Sequence, residues 1–347
     1  MRILCVTSVR NEAPFLLEWI AHMQGAGVTD FLIYSNDCED GTDALLDALD
    51  TAGTVDHIPQ TVEAGQSPQW QAFRAAWKHP KRKAADWAIV CDVDEFPNIH
   101  AAGHTFPDLI AALPDGTDGI LLPWRLFGNN GVARFTDAPV TKQFTRAAPP
   151  DLSYPISTTF FKALFRTDGP FNQFGIHRPK QKSPNKAPLP RWVDGSGRPM
   201  PDGFAKNEKR LSLFGLSQGG DLVECNHYSL KSAESFLIKR ARGLPNRSEK
   251  PIDLSYWVDR NFNTVEDTSI TKMRPATEAA LAKLHTIPDI PALHAAGVSW
   301  HQTRFLNLIK DEPTHALFTQ LLLAGDSKTL DPATAMQLVA WYQNVER

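Results

Sequence analysis

The sequence predicts an α/β protein, with a mostly parallel sheet, flanking helices and a helical C-terminal appendage. Short apolar runs alternate with amphipathic stretches through the first 130 residues, the pattern of βαβ units. Those runs are apolar at nearly every position, as strands covered on both faces are. From about Asp253 onward the pattern is helical.

Each element has its own signal. RILCVTSV (2–9) is a buried strand ending in polar residues. PFLLEWIAHMQGAG is a helix, with Pro14 suited to a first turn and Gly25 and Gly27 to stop it. Its Phe15, Leu16, Trp19, Ile20 and Met23 fall on one face. DFLIYSN (30–36) is a second strand and DGTDALLDALDTAG a second helix ended by Gly53. VDHI, QWQAFRAAWKH and WAIVCDVD read as strand, helix and strand; TFPDLIAAL is a helix and GILLPWRLF (119–127) a fifth strand. Past Gly128 the pattern loosens. FFKALFR (160–166) and LVECNHYS (222–229) read as strands, the second followed by the helix AESFLIKRARG. Between them, residues 178–206 are rich in Pro, Lys and Gly and read as a long loop or lid. ATEAALAKLH, TRFLNLIK, HALFTQLLLAG and ATAMQLVAWYQ supply the helical tail.

A chain of 347 residues, 42% hydrophobic and 22% charged, can bury a sizeable core. A net charge of −3 argues against a dedicated nucleic-acid binder. Residues 171–250 nevertheless carry 15 Lys or Arg against 7 Asp or Glu, which suits either a solvated loop region or a surface for an anionic ligand. Cys5, Cys38, Cys91 and Cys225 are widely spaced with no C-x-x-C, and read as reduced packing residues of a cytoplasmic protein. The N-terminal apolar run is too short for a signal peptide, and no run is long enough to span a bilayer. A soluble protein is expected, with peripheral contact at the inner face of the membrane as the furthest membrane association.

The fourth apolar run leads straight into Asp92, Asp94 and Glu95. In an extended segment Asp92 and Asp94 project to the same side, and two adjacent carboxylates repel unless a cation or proton intervenes. Mg²⁺ or Mn²⁺ suits such oxygen ligands, keeps positions open for phosphate oxygens, and polarises a diphosphate leaving group. D-x-D also arises by chance at solvated strand ends. Its position here, at the carboxyl end of a strand in an α/β pattern, is where such sheets bind ligands.

SVRNEAPFLLEWIAHMQGAGVTDFLIYSNDCEDGT resembles the opening of the family 2-like glycosyltransferases, including their family 92-like branch. DVDEF (92–96), WRLFGNNG (124–131) and CNHYSLKSAESFLIKRARG (225–243) are similar to later landmarks of that family. The ordered blocks cover roughly residues 1–245 and leave the helical tail unaccounted for. The resemblance implies a GT-A fold that transfers a sugar from a nucleotide-diphosphate donor with Mn²⁺ or Mg²⁺. Asp92 and Asp94 match the metal carboxylates, and His227 a histidine that completes the metal shell. Asn11 and Glu12 match a polar pair near the nucleotide base, and Asn36 a base contact. Gln71 and Arg74 lie on the helix used near the diphosphate, and Lys231 is placed to reach a phosphate. Asp40 heads the DGT turn and caps the next helix. Cys38 departs from the usual Ser of that turn. Residues 1–130 then form the nucleotide-binding half and 131–250 the acceptor half with its basic loop 178–206, while 251–347 are a helical extension.

From the residues alone, alternatives stay open. His177, in FGIHRPK, rivals His227 as third ligand, and either His also reads as a packing residue. Gln71 and Arg74 equally suit a solvated helix face, and Trp124 ordinary core. GLSQG (215–219) has the G-x-S-x-G form but not the strand and helix a nucleophile elbow needs. An inverting transfer needs a carboxylate base. Glu95, Asp221 and Glu224 are its candidates, and the sequence does not choose between them. The expected activity is a hexosyltransferase-like one, from a UDP-sugar to a surface polysaccharide or glycolipid. A sugar-1-phosphate nucleotidyltransferase is a rival, but SVRNEAPFL lacks its Gly-rich basic loop. A non-catalytic sugar- or nucleotide-binding module is another, and intact Asp92 and Asp94 count against it.

Overall fold

A computed structural model of the chain describes every residue except 64, 184, 244–251 and 344–347. The domain boundary expected at 250/251 lies outside the described residues, as does residue 184 of the expected basic loop.

The first half runs β1 (Ile3–Val9), α1 (Ala13–Gly25), β2 (Asp30–Ser35), α2 (Thr42–Thr51), β3 (Asp56–Pro59), α3 (Pro68–Lys78), α4 (Pro80–Ala84) and β4 (Trp87–Val90). Then come β5 (Glu95–Ile99), α5 (Phe106–Ala111), β6 (Gly119–Leu126), α6 (Val140–Gln143), β7 (Arg146–Ala147) and β8 (Phe161–Arg166). Short pieces follow: β9 (Phe171–Gln173), β10 (Lys180–Gln181), β11 (Trp192–Val193) and α7 (Asp202–Lys206). The chain continues with β12 (Val223–His227), α8 (Ala233–Arg242), α9 (Leu254–Val258) and β13 (Val265–Glu266). It closes with α10 (Arg274–Leu284), α11 (Ile290–Leu308), α12 (Glu312–Ala324) and α13 (Pro332–Gln343).

The main sheet has the order β3-β2-β1-β4-β8-β6-β12-β5, with β11 beside β6. Pairing is parallel from β3 to β4 and between β6 and β12; β8 and β5 run antiparallel to their neighbours. The expected α/β architecture, with a mostly parallel sheet and flanking helices, is therefore what the chain adopts. Both faces are covered. Ile3, Cys5, Phe31, Ile33, Trp87 and Ile89 pack into one apolar layer with α1, α2 and α5, whereas Leu4, Val6, Leu32, Tyr34, Ala88 and Val90 join α3 in the other. Strict alternation between two cores is what makes these strands apolar at every position.

Helix α1 is buried nearly all round, including Glu18 and His22. Such a helix needs cover on its outer side as well, and α10 and α11 supply it. α11 also packs on α2 and α8, and α12 on α8 and α9. The helices expected as an appendage thus form a second layer over the first.

Two local expectations change. The fourth strand ends at Val90 rather than at Asp94, and residues 92–95 form a turn. Its cause is Glu95: the Glu95 N–H donates to the Asp92 carbonyl at 3.0 Å, and the Glu95 carboxylate accepts from the Asp92 N–H at 2.8 Å. The expected loop or lid over 178–206 contains β10, β11 and α7, and is pinned by Arg178. Arg178 is buried, with its guanidinium 4.3 Å from the Phe204 ring and 4.9 Å from that of Trp192.

Gly297 marks the tightest approach of α11 to α1, because a Cβ there would meet the Ala13 Cβ at 2.5 Å. Gly297→Val is expected to cost about 1–3 kcal/mol by overpacking, read as a lower urea midpoint. Wild-type stability in that variant would mean that the helices do not close at this point.

Candidate functional site

At the middle of the sheet, β1 has β2 on one side and β4 on the other, with α1 and α3 on opposite faces. A reversal of this kind opens a crevice beyond the strand ends. Here it is a cleft of about 510 Å³, lined among others by Arg10, Glu12, Asn36, Asp92, Asp94 and His227. β1 supplies the residues up to Arg10, and the turn after β4 supplies the acids.

The far wall comes from elsewhere in the chain. β5 leaves the acidic turn antiparallel to β12 and sets His227 opposite Glu95; β12 lies parallel to β6. His227 Nε2 is 3.7 Å from Asp94 Oδ1, and its ring centroid is 4.1 Å from that of Trp124. His177 flanks the same tryptophan at 5.3 Å, with its Nδ1 3.0 Å from the Phe161 carbonyl. Both histidines line the cleft; His227 is the one against an acid.

Two lysines balance the acids, and the sequence reading singled out neither. Lys162, on β8, is wholly enclosed and lies 3.0 Å from Asp92 Oδ2 and 2.9 Å from Glu95 Oε2. It also donates to the Ile176 carbonyl at 3.0 Å, so its three protons have three acceptors. Lys239, on α8, donates to Asp94 Oδ2 at 2.6 Å and to the Ser229 carbonyl at 2.9 Å. Burial by itself would raise the Asp94 carboxyl, but the charge of Lys239 and the contact with His227 outweigh it and hold Asp94 well below the usual range. Burial lowers His227 despite Asp94, which keeps the imidazole neutral and its lone pair available at neutral pH. Burial pushes Glu95 up, with Lys162 opposing.

The other expected site residues divide. Asn36 lines the cleft, its side-chain amide donating to Asp37 Oδ2 at 3.0 Å. Glu12 lines it too, but ion-paired to Arg242, which also donates to the carbonyls of Arg10 and Asn11. Asn11 ties loops together, accepting from the Glu39 N–H at 2.7 Å. Asp40 accepts from the N–H groups of both Ala13 and Thr42, each at 2.9 Å, so it serves the starts of α1 and α2 together.

Gln71 and Arg74 face away from the cleft: Gln71 donates to the Thr61 carbonyl and Arg74 is exposed. The polar side chain of α3 that reaches the site is that of Gln69, whose amide donates to Asp92 Oδ1 at 3.2 Å. Gln69, Ala72, Phe73 and Ala76 are the buried stripe of this helix. A polar residue on an i, i+3, i+4, i+7 apolar stripe was the signal available for it. Lys231 lies off the cleft, with its ammonium 4.3 Å from the Phe15 ring centroid. Among the general-base candidates, Asp221 and Glu224 line a separate cavity, Asp221 paired to Arg198 and Glu224 3.5 Å from His100. Glu95 borders the cleft but is enclosed against Lys162.

Two carboxylates and a neutral imidazole are donors that suit Mn²⁺ or Mg²⁺. Nδ1 of buried His227 has no hydrogen-bond partner among the described residues. The residues present therefore fit such an ion in kind. One trio with donor atoms all within 4.8 Å of one another is Cys91, Glu95 and Cys225. Burial pushes both thiols up, and Cys91 Sγ donates to the Glu95 carbonyl, so this trio behaves as protonated core.

Removing Lys162 leaves Asp92 and Glu95 facing each other without a buried cation. Lys162→Met is expected to lose about 3–5 kcal/mol, and adding Glu95→Gln to recover part of that loss. Urea unfolding of the single and double variants reads this. A single variant as stable as wild type would show that the lysine does not hold the turn.

A family model described as glycosyltransferase family 92 matches residues 2–191. A family 92 protein of Oryza sativa subsp. japonica is 28% identical over 156 residues, 43% of this chain and 25% of the relative. One of Ricinus communis is 30% identical over 97 residues, 27% of this chain and 16% of the relative. The matched region is thus a quarter or less of those plant proteins. Among solved structures, the mannosyltransferase PcManGT of Pyrobaculum calidifontis, in complex with GDP-Man and Mn²⁺, is similar at 13% identity and TM-score 0.35, over 93% of this chain and 85% of that one. A glucosyl-3-phosphoglycerate synthase of Mycobacterium tuberculosis, in complex with Mn²⁺, UDP and its product, is similar at 14% identity and TM-score 0.24, over 36% and 44%. Likenesses this distant say nothing about the site.

Proposed function

Because this chain belongs to glycosyltransferase family 92, we propose that it moves a hexose from a nucleotide-diphosphate sugar, a UDP-sugar first among them, to a glycan or glycolipid. The reading includes a GT-A type site, a divalent cation and inversion at the sugar carbon. The observation that carries it is the cleft itself. Asp92, Asp94 and His227 line the same cleft as Arg10, Lys239 and Arg242, where β1 and β4 end. Acids able to hold a cation beside bases able to hold phosphate are what a departing diphosphate requires.

Asp92, Asp94 and His227 would hold Mn²⁺ or Mg²⁺. When bound, the ion supplies charge neutralisation for the diphosphate that leaves. The chain's own residues do the remaining work. Lys162 and Gln69 fix the Asp92 carboxylate, and Glu95 closes the turn that presents Asp94. Asn36, at the end of β2, is placed for a polar contact with the nucleotide. Trp124, bracketed by His177 and His227, offers an aromatic face on the opposite side, suited to stacking on a sugar. Glu95 keeps its place as base candidate only by position, since its carboxylate is committed to Lys162 and to the turn. A nucleotidyltransferase would also use metal-binding acids, but SVRNEAPFL lacks its Gly-rich basic loop, and a non-catalytic module would need no cation.

No helix among the described residues is long and apolar enough to cross a membrane. A glycolipid acceptor would therefore be met at a bilayer surface. The exposed Lys180, Lys182, Lys186 and Lys206 would provide the charge for such peripheral contact with an anionic inner leaflet.

The test is calorimetric binding of UDP, GDP, CMP and dTDP, each with and without Mn²⁺. Metal-dependent binding of one of them is expected, and Asp94→Asn should lose it by about 10-fold or more while the chain still folds, as read by circular dichroism. Metal dependence that survives in Asp94→Asn would remove Asp94 from the cation site. No binding of any nucleotide would overturn the donor assignment.

A further inference from the structure

Asp94 is nearly enclosed, its side chain 10% exposed, and a carboxylate so buried needs a counter-charge at all times. Lys239 provides it, with Nζ at 2.6 Å. Three of the other cations nearby are fixed, while Arg10 and Arg260, which also line the cleft, form no ion pair with Asp94 among the described residues. Lys162 has an acceptor for each of its three protons and no exposed surface. Arg242 is held by Glu12 and two backbone carbonyls. Lys231 sits off the cleft against Phe15. Lys239 differs from Lys162 and Lys231 in lining the cleft, and from Arg242, which lines it too, in having fewer acceptors. Its side chain is 11% exposed, and among the described residues its ammonium donates to two acceptors, Asp94 and the Ser229 carbonyl. Its stem leaves the last turn of α8 beside the Tyr256 ring, whose centroid is 5.7 Å from Nζ.

Resting on the donor reading above, we propose that Lys239 is an exchangeable counter-ion: it occupies the cation position on Asp94 until a divalent ion arrives, then moves onto the donor diphosphate. The exchange follows from charge. A dication on Asp94 would face the ammonium at contact distance, and like charges so close in a partly dry cleft separate. A lysine is a point charge on a flexible four-carbon stem, so it can leave without unfolding α8. The nearest negative charge it can then meet is the phosphate of a donor held in the same cleft. Before the donor arrives, the ammonium keeps Asp94 charged and solvent-independent. Afterwards it adds a charge-assisted contact that exists only in the loaded site. Lys239 is thus a binding residue whose two partners exclude each other.

The two halves predict effects of opposite sign, which loss of structure would not produce. In Lys239→Met, Mn²⁺ alone should bind about 10-fold tighter, because its competitor is gone. UDP or GDP with saturating Mn²⁺ should bind about 10–100-fold weaker, because a charged contact is lost. Calorimetry with Mn²⁺ alone, and then with UDP and GDP at saturating Mn²⁺, reads both. Unchanged or weaker Mn²⁺ binding overturns the exchange, and unchanged diphosphate binding overturns the second contact. Diphosphate binding that needs no metal in wild type and vanishes in the variant also overturns it, leaving the ammonium as the sole counter-charge. If neither diphosphate binds wild type, the donor reading fails, while the Mn²⁺ titration still decides whether Lys239 competes for Asp94. Should Lys239→Met not fold, Lys239→Gln retains a donor for the Ser229 carbonyl and enters the same titrations.

Discussion

The cleft depends on keeping three neighbouring carboxylates in place where little water reaches them. Asp92, Asp94 and Glu95 occupy one turn, and burial opposes charge on each enclosed member. Lys162 and Lys239 make the turn tenable by dividing the work. Lys162 ties Asp92 to Glu95 from beneath, and Lys239 meets Asp94 from the side. Glu95 is as much a structural acid as a candidate for chemistry, since its carboxylate accepts the N–H of Asp92 and so shapes the turn.

That division explains the strands that break the parallel pattern. β8 is inserted antiparallel between β4 and β6, and it brings Lys162 under a turn 70 residues earlier in the chain. β5 leaves the same turn antiparallel to β12, which delivers His227 to the acids. The two antiparallel strands are therefore the ones that complete the site, while the parallel half supplies the crevice.

The second helical layer has a comparable role. α8 follows β12 directly and carries both Lys239 and Arg242 to the cleft. It is held from outside by α11 and α12, so the C-terminal helices set where that cationic wall stands. The Glu12–Arg242 pair then joins this wall to the loop after β1, linking the two ends of the domain across the opening.

What could be read from the sequence follows from local rules. Strands covered on both faces are apolar throughout, helices repeat at 3.6 residues, and glycines end them. Those rules locate β1 to β4, β6, β8, β12 and the helices α1, α2, α3, α5 and α8, and they point to acids at a strand end. Other features had no local signature. The strand that seemed to run to Asp94 stops at Val90 because the Glu95 side chain closes a turn. Gln69 rather than Gln71 faces the cleft because α3 is fixed in rotation by its apolar stripe. Lys162 and Lys239 are ordinary lysines in sequence, in FFKALFR and FLIKRARG, and become counter-ions only when distant strands and helices converge. The chain's own pattern determined the sheet and the position of its acids. Which cations answer them was decided by packing, because a buried charge is matched by whatever the tertiary fold brings within a few ångströms.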